Sequence, residues 1–133
     1  MESKLSKIVL CDNKNNPIVV ISENGKFLRG LEIVQKEEQC ASSDKFGHLK
    51  LSSEELEKTK YRGKKLDNPI IDFSKHRVVR NLEVREIANI KEDTYYKILR
   101  KYVNYHTYMG ATDLDYLLLR NDVHDQLIKK LNK

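Results

Sequence analysis

Lysine and arginine are the residues whose placement in this chain most clearly indicates a chemistry. Residues 58–103 contain 13 basic and six acidic residues, a net charge of +7. Residues 1–57 carry a net charge of −2, and residues 104–133 carry a net charge of zero. Because the basic excess is confined to one third of the chain, we expect one element of the fold to face a polyanion such as nucleic acid.

The densest group of positive charges is the segment KTKYRGKK at residues 58–65, in which five of eight residues are basic. Four members of this run are predicted to contact phosphates: Lys60, Arg62, Lys64 and Lys65. A run of this kind also occurs as a solvated face or as a mobile linker. The sequence leaves these two interpretations equally open.

A second segment, residues 82–103, has the apolar spacing of a helix-turn-helix. In that motif two helices cross at a fixed angle around a short turn, so five apolar positions must face one small core. Those positions are filled by Val84, Ala88, Ile90, Tyr95 and Ile98. Asn89 stands at the turn, where asparagine tolerates the left-handed conformation better than most residues. The segment resembles the broad helix-turn-helix class of transcriptional regulators, recombinases and phage or plasmid proteins.

The resemblance implies a recognition helix in the major groove of DNA. The residues that it places against bases or phosphates are Lys91, Thr94, Tyr96 and Lys97. It places Arg100 and Lys101 beside phosphates. Arg77 and Arg80, which precede the segment, complete the predicted nucleic-acid interface.

Motifs of catalysis and of metal or cofactor binding are absent from the sequence. It contains no glycine-rich phosphate loop, no HExxH pair and no nucleophile elbow. The four histidines are scattered, and Cys11 and Cys40 lack a CxxC neighbour, so we expect two reduced thiols and no metal site. We therefore predict a protein that is not an enzyme, with no catalytic residues and no cofactor.

The elements that position these residues predict an α+β fold. Residues 1–57 contain three β-branched runs separated by turn-forming polar residues, which predict an N-terminal three-stranded antiparallel β-meander followed by a short helix. Residues 58–68 are predicted to be a basic linker that ends before Pro69. Residues 69–133 show helical spacing and predict a helical C-terminal half.

Three helical pieces are expected in that second half. Asp72 or Ser74 is predicted to cap a short helix over residues 75–80, and the helix-turn-helix-like segment follows at 82–103. The recognition helix would bury one apolar face, formed by Tyr95, Ile98, Leu99 and Tyr102. A long apolar stripe, interrupted by Asn121 and His124, predicts a final helix over 113–131.

Together these patterns favour a small DNA-binding regulatory protein, with RNA or a nucleoprotein as further candidate targets. A homodimer is expected, because one recognition helix reads too few base pairs for useful specificity. The chain has no apolar stretch near the roughly 20 residues that cross a bilayer and no apolar run at its start. We therefore expect a cytoplasmic protein with no membrane partner, and the Lys-rich and Asn-rich composition suits a phage or mobile element.

An alternative function is that of a compact inhibitor or adaptor that docks on a host protein or a nucleoprotein complex. The docking surface would be the sheet or the tyrosines Tyr102, Tyr105 and Tyr108. Aromatic side chains are frequent hot spots of protein interfaces, although the same tyrosines equally suit a core.

Overall fold

The computed structural model describes residues 3–11, 16–34, 47–52, 55–58, 69–109 and 114–131. These residues form seven strands: β1 (Lys7–Leu10), β2 (Ile18–Asn24), β3 (Phe27–Val34), β4 (His48–Lys50), β5 (Leu56–Lys58), β6 (Ile70–Arg80) and β7 (Arg85–Ile90). They also form two helices, α1 (Glu92–Met109) and α2 (Leu114–Leu131). A short 3-10 helix over Asn81–Glu83 lies between β6 and β7.

The strands form one antiparallel sheet in the order β4-β6-β3-β2-β1-β7-β5. The first three strands are neighbours, with Ile8 of β1 opposite Val19 of β2 and Val19 opposite Leu31 of β3. β6 extends the sheet beside β3, and β7 extends it beside β1. The fold is α+β, but both halves of the chain supply strands to the same sheet.

Two glycines shape the hairpin of β2 and β3. Gly25 turns the chain with a φ of +56°, a conformation that glycine adopts without steric cost. At Gly30 the neighbouring strand leaves no room for a side chain, because a Cβ would lie 2.5 Å from the carbonyl oxygen of Val19. Any larger residue at this position would push β2 and β3 apart.

α1 and α2 cover one face of the sheet and close the main core. That core joins buried side chains of β1, β2, β3, β4, β6 and β7 to both helices. α1 contributes four apolar residues, namely Tyr95, Ile98, Leu99 and Tyr102, whereas α2 contributes Leu119 and Val123. Each fully buried side chain of this size stabilises the fold by about 1.5–3 kcal/mol. Among the described residues, neither helix is long and apolar enough to cross a membrane.

The opposite face of the sheet carries a second, smaller apolar cluster, formed by Val9, Ile18, Val20 and Leu28. Alternation along β2 sends Val19 and Ile21 into the main core and Ile18 and Val20 into this cluster. Both faces of β2 are therefore buried. This explains why β2 begins as an uninterrupted apolar run in the sequence.

The prediction of a three-stranded meander followed by a helical half with a helix-turn-helix segment is wrong. Residues 75–80, which were predicted to form a short helix, belong to strand β6. The segment predicted as the first helix of the motif contains strand β7. Asn89, the predicted turn residue, pairs with Lys7 in the middle of the sheet. α1 is therefore a single continuous helix that follows a strand.

A β-bulge explains why β7 has the apolar spacing of a helix. Ala88 and Glu86 pair with consecutive residues of β1, so Ile87 is an extra residue in the strand. Ile87 and Ala88 then both face the main core. Together with Val84, which packs on the outer cluster, they recur at the three-to-four-residue spacing of an α-helix.

β6 contains a larger irregularity. A two-residue step along β3 faces a five-residue step along β6, so the alternation of apolar residues is lost there. Within this region the buried carboxylate of Asp72 accepts hydrogen bonds from the Ser74 N–H at 2.9 Å and from the Ser74 hydroxyl at 2.6 Å. The two residues expected to cap a helix thus stabilise a local turn within a strand.

Candidate nucleic-acid interface

Glu55, the residue just before β5, anchors the start of α1. The Lys91 N–H donates to the carbonyl oxygen of Glu55 at 3.0 Å, and the Thr94 hydroxyl donates to the Glu55 carboxylate at 3.1 Å. Burial raises the pKa of Glu55, but hydrogen bonds from Ser52 and Thr94 and the charge of Lys97 outweigh it, so the pKa lies below its ordinary value. Glu55 is thus held as a carboxylate beside the helix N-terminus, where negative charge is favourable.

The buried face of α1 determines which of its side chains reach solvent. Six residues of the helix are buried: Thr94, Tyr95, Ile98, Leu99, Tyr102 and His106. The opposite side carries Lys97, Arg100 and Lys101, which have i, i+3 and i+4 spacing and are therefore neighbours. Lys97 and Arg100 are exposed and Lys101 is half-buried. We call these three residues the basic face of α1.

The basic face lies near one acidic group, since the charge of Lys97 contributes to lowering the pKa of Glu55. Within the part of the chain that the structure describes, Lys97, Arg100 and Lys101 form no ion pair. Other basic side chains are neutralised within the fold, as Lys4 is by Glu86 at 3.0 Å. Three adjacent positive charges without an ion-pair partner among the described residues give a local field that attracts polyanions.

The remaining predicted site residues are dispersed. Thr94 is buried against Glu55, and Tyr96 is half-buried between the ring of Tyr95 and the ammonium group of Lys130. Lys91 is exposed just before α1, and Arg80 is exposed at the end of β6. The structure thus brings Lys97, Arg100 and Lys101 together but does not add Thr94 or Tyr96 to their surface.

Arg77 and the basic run contribute little to what the structure shows of this interface. The Arg77 guanidinium lies 3.6 Å from the Glu32 carboxylate and donates to the carbonyl oxygen of Asn16 at 2.7 Å. Its charge is therefore largely satisfied inside the fold. The other four predicted contacts, Lys60, Arg62, Lys64 and Lys65, lie outside the described residues.

A polar cleft between α1 and α2 is a feature that sequence reasoning missed. It has a volume of about 380 Å³ and is lined by Val103, Thr107, Arg120, Asn121, His124 and Asp125. Its only signal in the sequence is the interruption of the apolar stripe of α2 by Asn121 and His124. These polar residues line a cleft because α2 packs beside α1.

Of the four histidines, one is buried in the core and His124 is exposed. His106 is buried, with its ring centroid 4.3 Å from that of Tyr102 and 5.1 Å from that of Tyr105. Burial, followed by the charges of His76 and Arg120, lowers the pKa of His106, although a hydrogen bond to the backbone of Phe73 opposes this. His106 is therefore held neutral in a packed setting rather than presented to a substrate.

The tyrosines considered as a docking surface are mostly internal. Tyr102 is buried, Tyr105 is half-buried against Phe73, and Tyr108 is 77% exposed.

No group of three or more potential metal ligands occurs within the described ranges. Comparison with protein-family models finds no matching family, and comparison with curated proteins finds no match.

Proposed function

We propose that this chain is a cytoplasmic nucleic-acid-binding protein that contacts the phosphate backbone of duplex DNA through the basic face of α1. The observation that carries the proposal is the grouping of Lys97, Arg100 and Lys101 on one solvent-facing side of a rigidly packed helix. None of the three forms an ion pair with a described residue, although the charge of Lys97 acts on the Glu55 carboxylate. Such a surface suits a polyanion whose charges are closely spaced.

The expected mode of contact differs from that of a helix-turn-helix. α1 directly follows β7, so the helix that would lie across the DNA backbone in a helix-turn-helix does not stand before it, and we do not propose groove insertion in that geometry. Phosphate contacts fix position but carry no base sequence. We therefore propose binding with little sequence preference, which does not require the homodimer expected for a recognition helix.

The number of phosphate contacts determines how steeply the affinity for DNA falls with salt. Neutralising about three phosphates of B-DNA gives a slope of about −2.7 in a plot of log affinity against log salt. The affinity should then fall roughly 40-fold between about 50 and 200 mM salt. Additional contacts from residues 58–65 would make the slope steeper.

A fluorescence-anisotropy titration of a labelled duplex tests the proposal with two matched variants. The first carries Lys97→Ala, Arg100→Ala and Lys101→Ala, which removes the basic face. The second carries Lys26→Ala, Lys50→Ala and Lys75→Ala, which removes three exposed charges outside the helices. We expect the first variant to lose at least tenfold in affinity and most of the salt slope of about −2.7, and the second to lose much less.

Equal losses in the two variants would show that net charge, not the basic face of α1, drives binding. Thermal denaturation of both variants provides the folding control. Because the six substituted residues are exposed or half-buried and polar, we expect both proteins to remain folded.

A second candidate function, docking on a host protein as an inhibitor or adaptor, is favoured by apolar side chains around the connection of β6 and β7. Leu82 is 96% exposed, and Val78 and Phe27 are 48% and 46% exposed. Val78 and Phe27 also line a cleft of about 370 Å³. If the folded protein binds no duplex at about 50 mM salt, where phosphate contacts are strong, protein docking becomes the better proposal.

A further inference from the structure

The cleft between α1 and α2 lies beside the basic face of α1 and is lined by none of its three residues. Its volume of about 380 Å³ falls in the range of pockets that hold small organic ligands, roughly 300–1,000 Å³. Val103 and Thr107 line it from α1. Four residues of two successive turns of α2 line it from the other side: Arg120, Asn121, His124 and Asp125. The cleft is therefore a space of ligand size with polar walls.

Arg120 is the residue of this cleft whose charge most requires a partner. Its side chain is half-buried, and it forms no ion pair with any residue that the structure describes. The half-buried Arg77, by contrast, has Glu32 at 3.6 Å. Arg120 is also close enough to His106 to contribute to the lowering of its pKa. A partly desolvated guanidinium of this kind is stabilised by an anion, most strongly by one that it binds through two parallel hydrogen bonds.

The other lining residues specify the chemistry of the ligand. The Asn121 amide and the Thr107 hydroxyl can donate to phosphate oxygens beside Arg120. Asp125 would repel a bare phosphate ion, but its carboxylate can accept a hydrogen bond from a sugar hydroxyl or a base amino group. Val103 supplies an apolar contact for a sugar or base. Hydrogen-bond donors, a carboxylate acceptor and an apolar wall match a nucleotide better than a simple anion.

The position of the cleft connects it with the basic face of α1. Arg100, Val103 and Thr107 lie at i, i+3 and i+7, so they follow one stripe along the helix. The distance along the axis from Arg100 to Thr107 is about 10 Å. A strand whose phosphates contact Lys97 and Arg100 thus reaches the cleft within a few nucleotides.

We propose that the α1–α2 cleft is a nucleotide site in which Arg120 binds the phosphate and Asp125 accepts a hydrogen bond from the sugar or base. The ligand is either a nucleotide of a bound strand, in which case the site rests on the proposed function, or a free mononucleotide. Both share the chemistry of a phosphate ester.

Binding of adenosine 5′-monophosphate, monitored through protein amide resonances by NMR, tests the site. We expect shifts at residues 103–107 and 120–125, at least tenfold weaker binding of adenosine, and at least tenfold weaker binding by Arg120→Gln. The Arg120→Lys variant keeps the charge and serves as the folding and charge control. Asp125→Asn should bind inorganic phosphate more tightly and lose preference for the nucleotide. Equal binding of adenosine and its monophosphate, or unchanged binding by Arg120→Gln, would overturn the proposal.

An anisotropy titration with a duplex that has a single-stranded extension separates the two sources of the nucleotide. If Arg120→Gln weakens both the mononucleotide and the extended duplex, the cleft holds a nucleotide of the strand. If it weakens only the mononucleotide, the free ligand is the one bound. Failure of the proposed function has a different signature, since the variant lacking the basic face would then bind duplex like the wild type while the mononucleotide result stands.

Discussion

α1 and α2 have the same length and lie on the same face of the sheet, yet they are held there in different ways. α1 buries six of its 18 residues, including Leu99 and Tyr102, which are fully inaccessible. The described part of α2 buries only Leu119 and Val123, and polar contacts supply much of its attachment. The difference teaches that α1 belongs to the core and presents a fixed charged surface, whereas α2 acts as a cover whose position forms the cleft.

The largest expected effect compares one leucine from each helix. Leu99→Ala should lower the free energy of unfolding by about 3–4 kcal/mol, because the site is fully buried and leaves a cavity. Leu127→Ala should lower it by about 1 kcal/mol, because that side chain of α2 is only half-buried. Urea denaturation measures both values, and equal losses would contradict the contrast between the helices.

A smaller effect is expected at the polar attachment of α2. The Tyr95 hydroxyl donates to the Gln126 side-chain oxygen at 2.6 Å, and the Gln126 amide donates to the carbonyl oxygen of Ile21 at 2.7 Å. Burial raises the pKa of Tyr95, so its hydroxyl remains a donor. Gln126→Ala should cost about 2 kcal/mol, since it leaves two polar groups without these partners.

A double-mutant cycle separates this polar effect from lost packing. In a Tyr95→Phe background the hydroxyl is already absent, so Gln126→Ala should cost less than in the wild type. The same cost in both backgrounds would mean that the hydrogen bond from Tyr95 contributes nothing.

The pH dependence of stability tests the burial of α1, because His106 lies on its buried face. The folded pKa of His106 is lowered, chiefly by burial, so the unfolded chain binds more protons in the window just below the ordinary histidine value of about 6.5. The stability associated with neutral His106 is complete above that value and is lost as the pH falls towards the folded pKa. Urea midpoints from about pH 7 to 5 should fall less steeply for His106→Gln than for the wild type, and parallel curves would refute this role.

The smallest effect is expected where the two helices meet at the surface. Lys130 of α2 lies 2.9 Å from the Glu92 carboxylate at the start of α1, but the two side chains are 39% and 67% exposed. Surface ion pairs of this kind contribute little, because solvent screens them. Lys130→Ala should leave the urea midpoint almost unchanged, and a large shift would show that α2 is held more firmly at this end than its burial indicates.

The sequence was sufficient for elements defined by local patterns. The Asn24-Gly25 pair marks the turn of β2 and β3, and the apolar stripe of α2 marks its length. The basic face was also within reach, because the spacing of Lys97, Arg100 and Lys101 places them together on any helix. These features depend on residues that are close in sequence.

Other features depend on distant partners and could not be inferred. β7 pairs with β1, about eighty positions away, and its bulge at Ile87 gives it the apolar spacing of a helix. Because β7 was interpreted as a helix, α1 was interpreted as a recognition helix, and Thr94 and Tyr96 were expected to reach DNA. In the structure both side chains pack against other residues. The role of Arg120 depends on how α2 lies against α1, and no local pattern encodes that arrangement.

The bulge in β7 also has a genetic consequence. Glu86 lies opposite Val9, a residue of the outer cluster, and its carboxylate meets Lys4 and Lys7 at 3.0 and 3.8 Å. With regular alternation from Ala88, which faces the main core, Glu86 would face that core as well. The bulge is what keeps Glu86 outside the core while Ile87 is present. An in-frame loss of the single codon for Ile87 would place Glu86 directly before Ala88 and leave it opposite Val9 on the outer face, so the cost of the deletion would be the lost core side chain of Ile87.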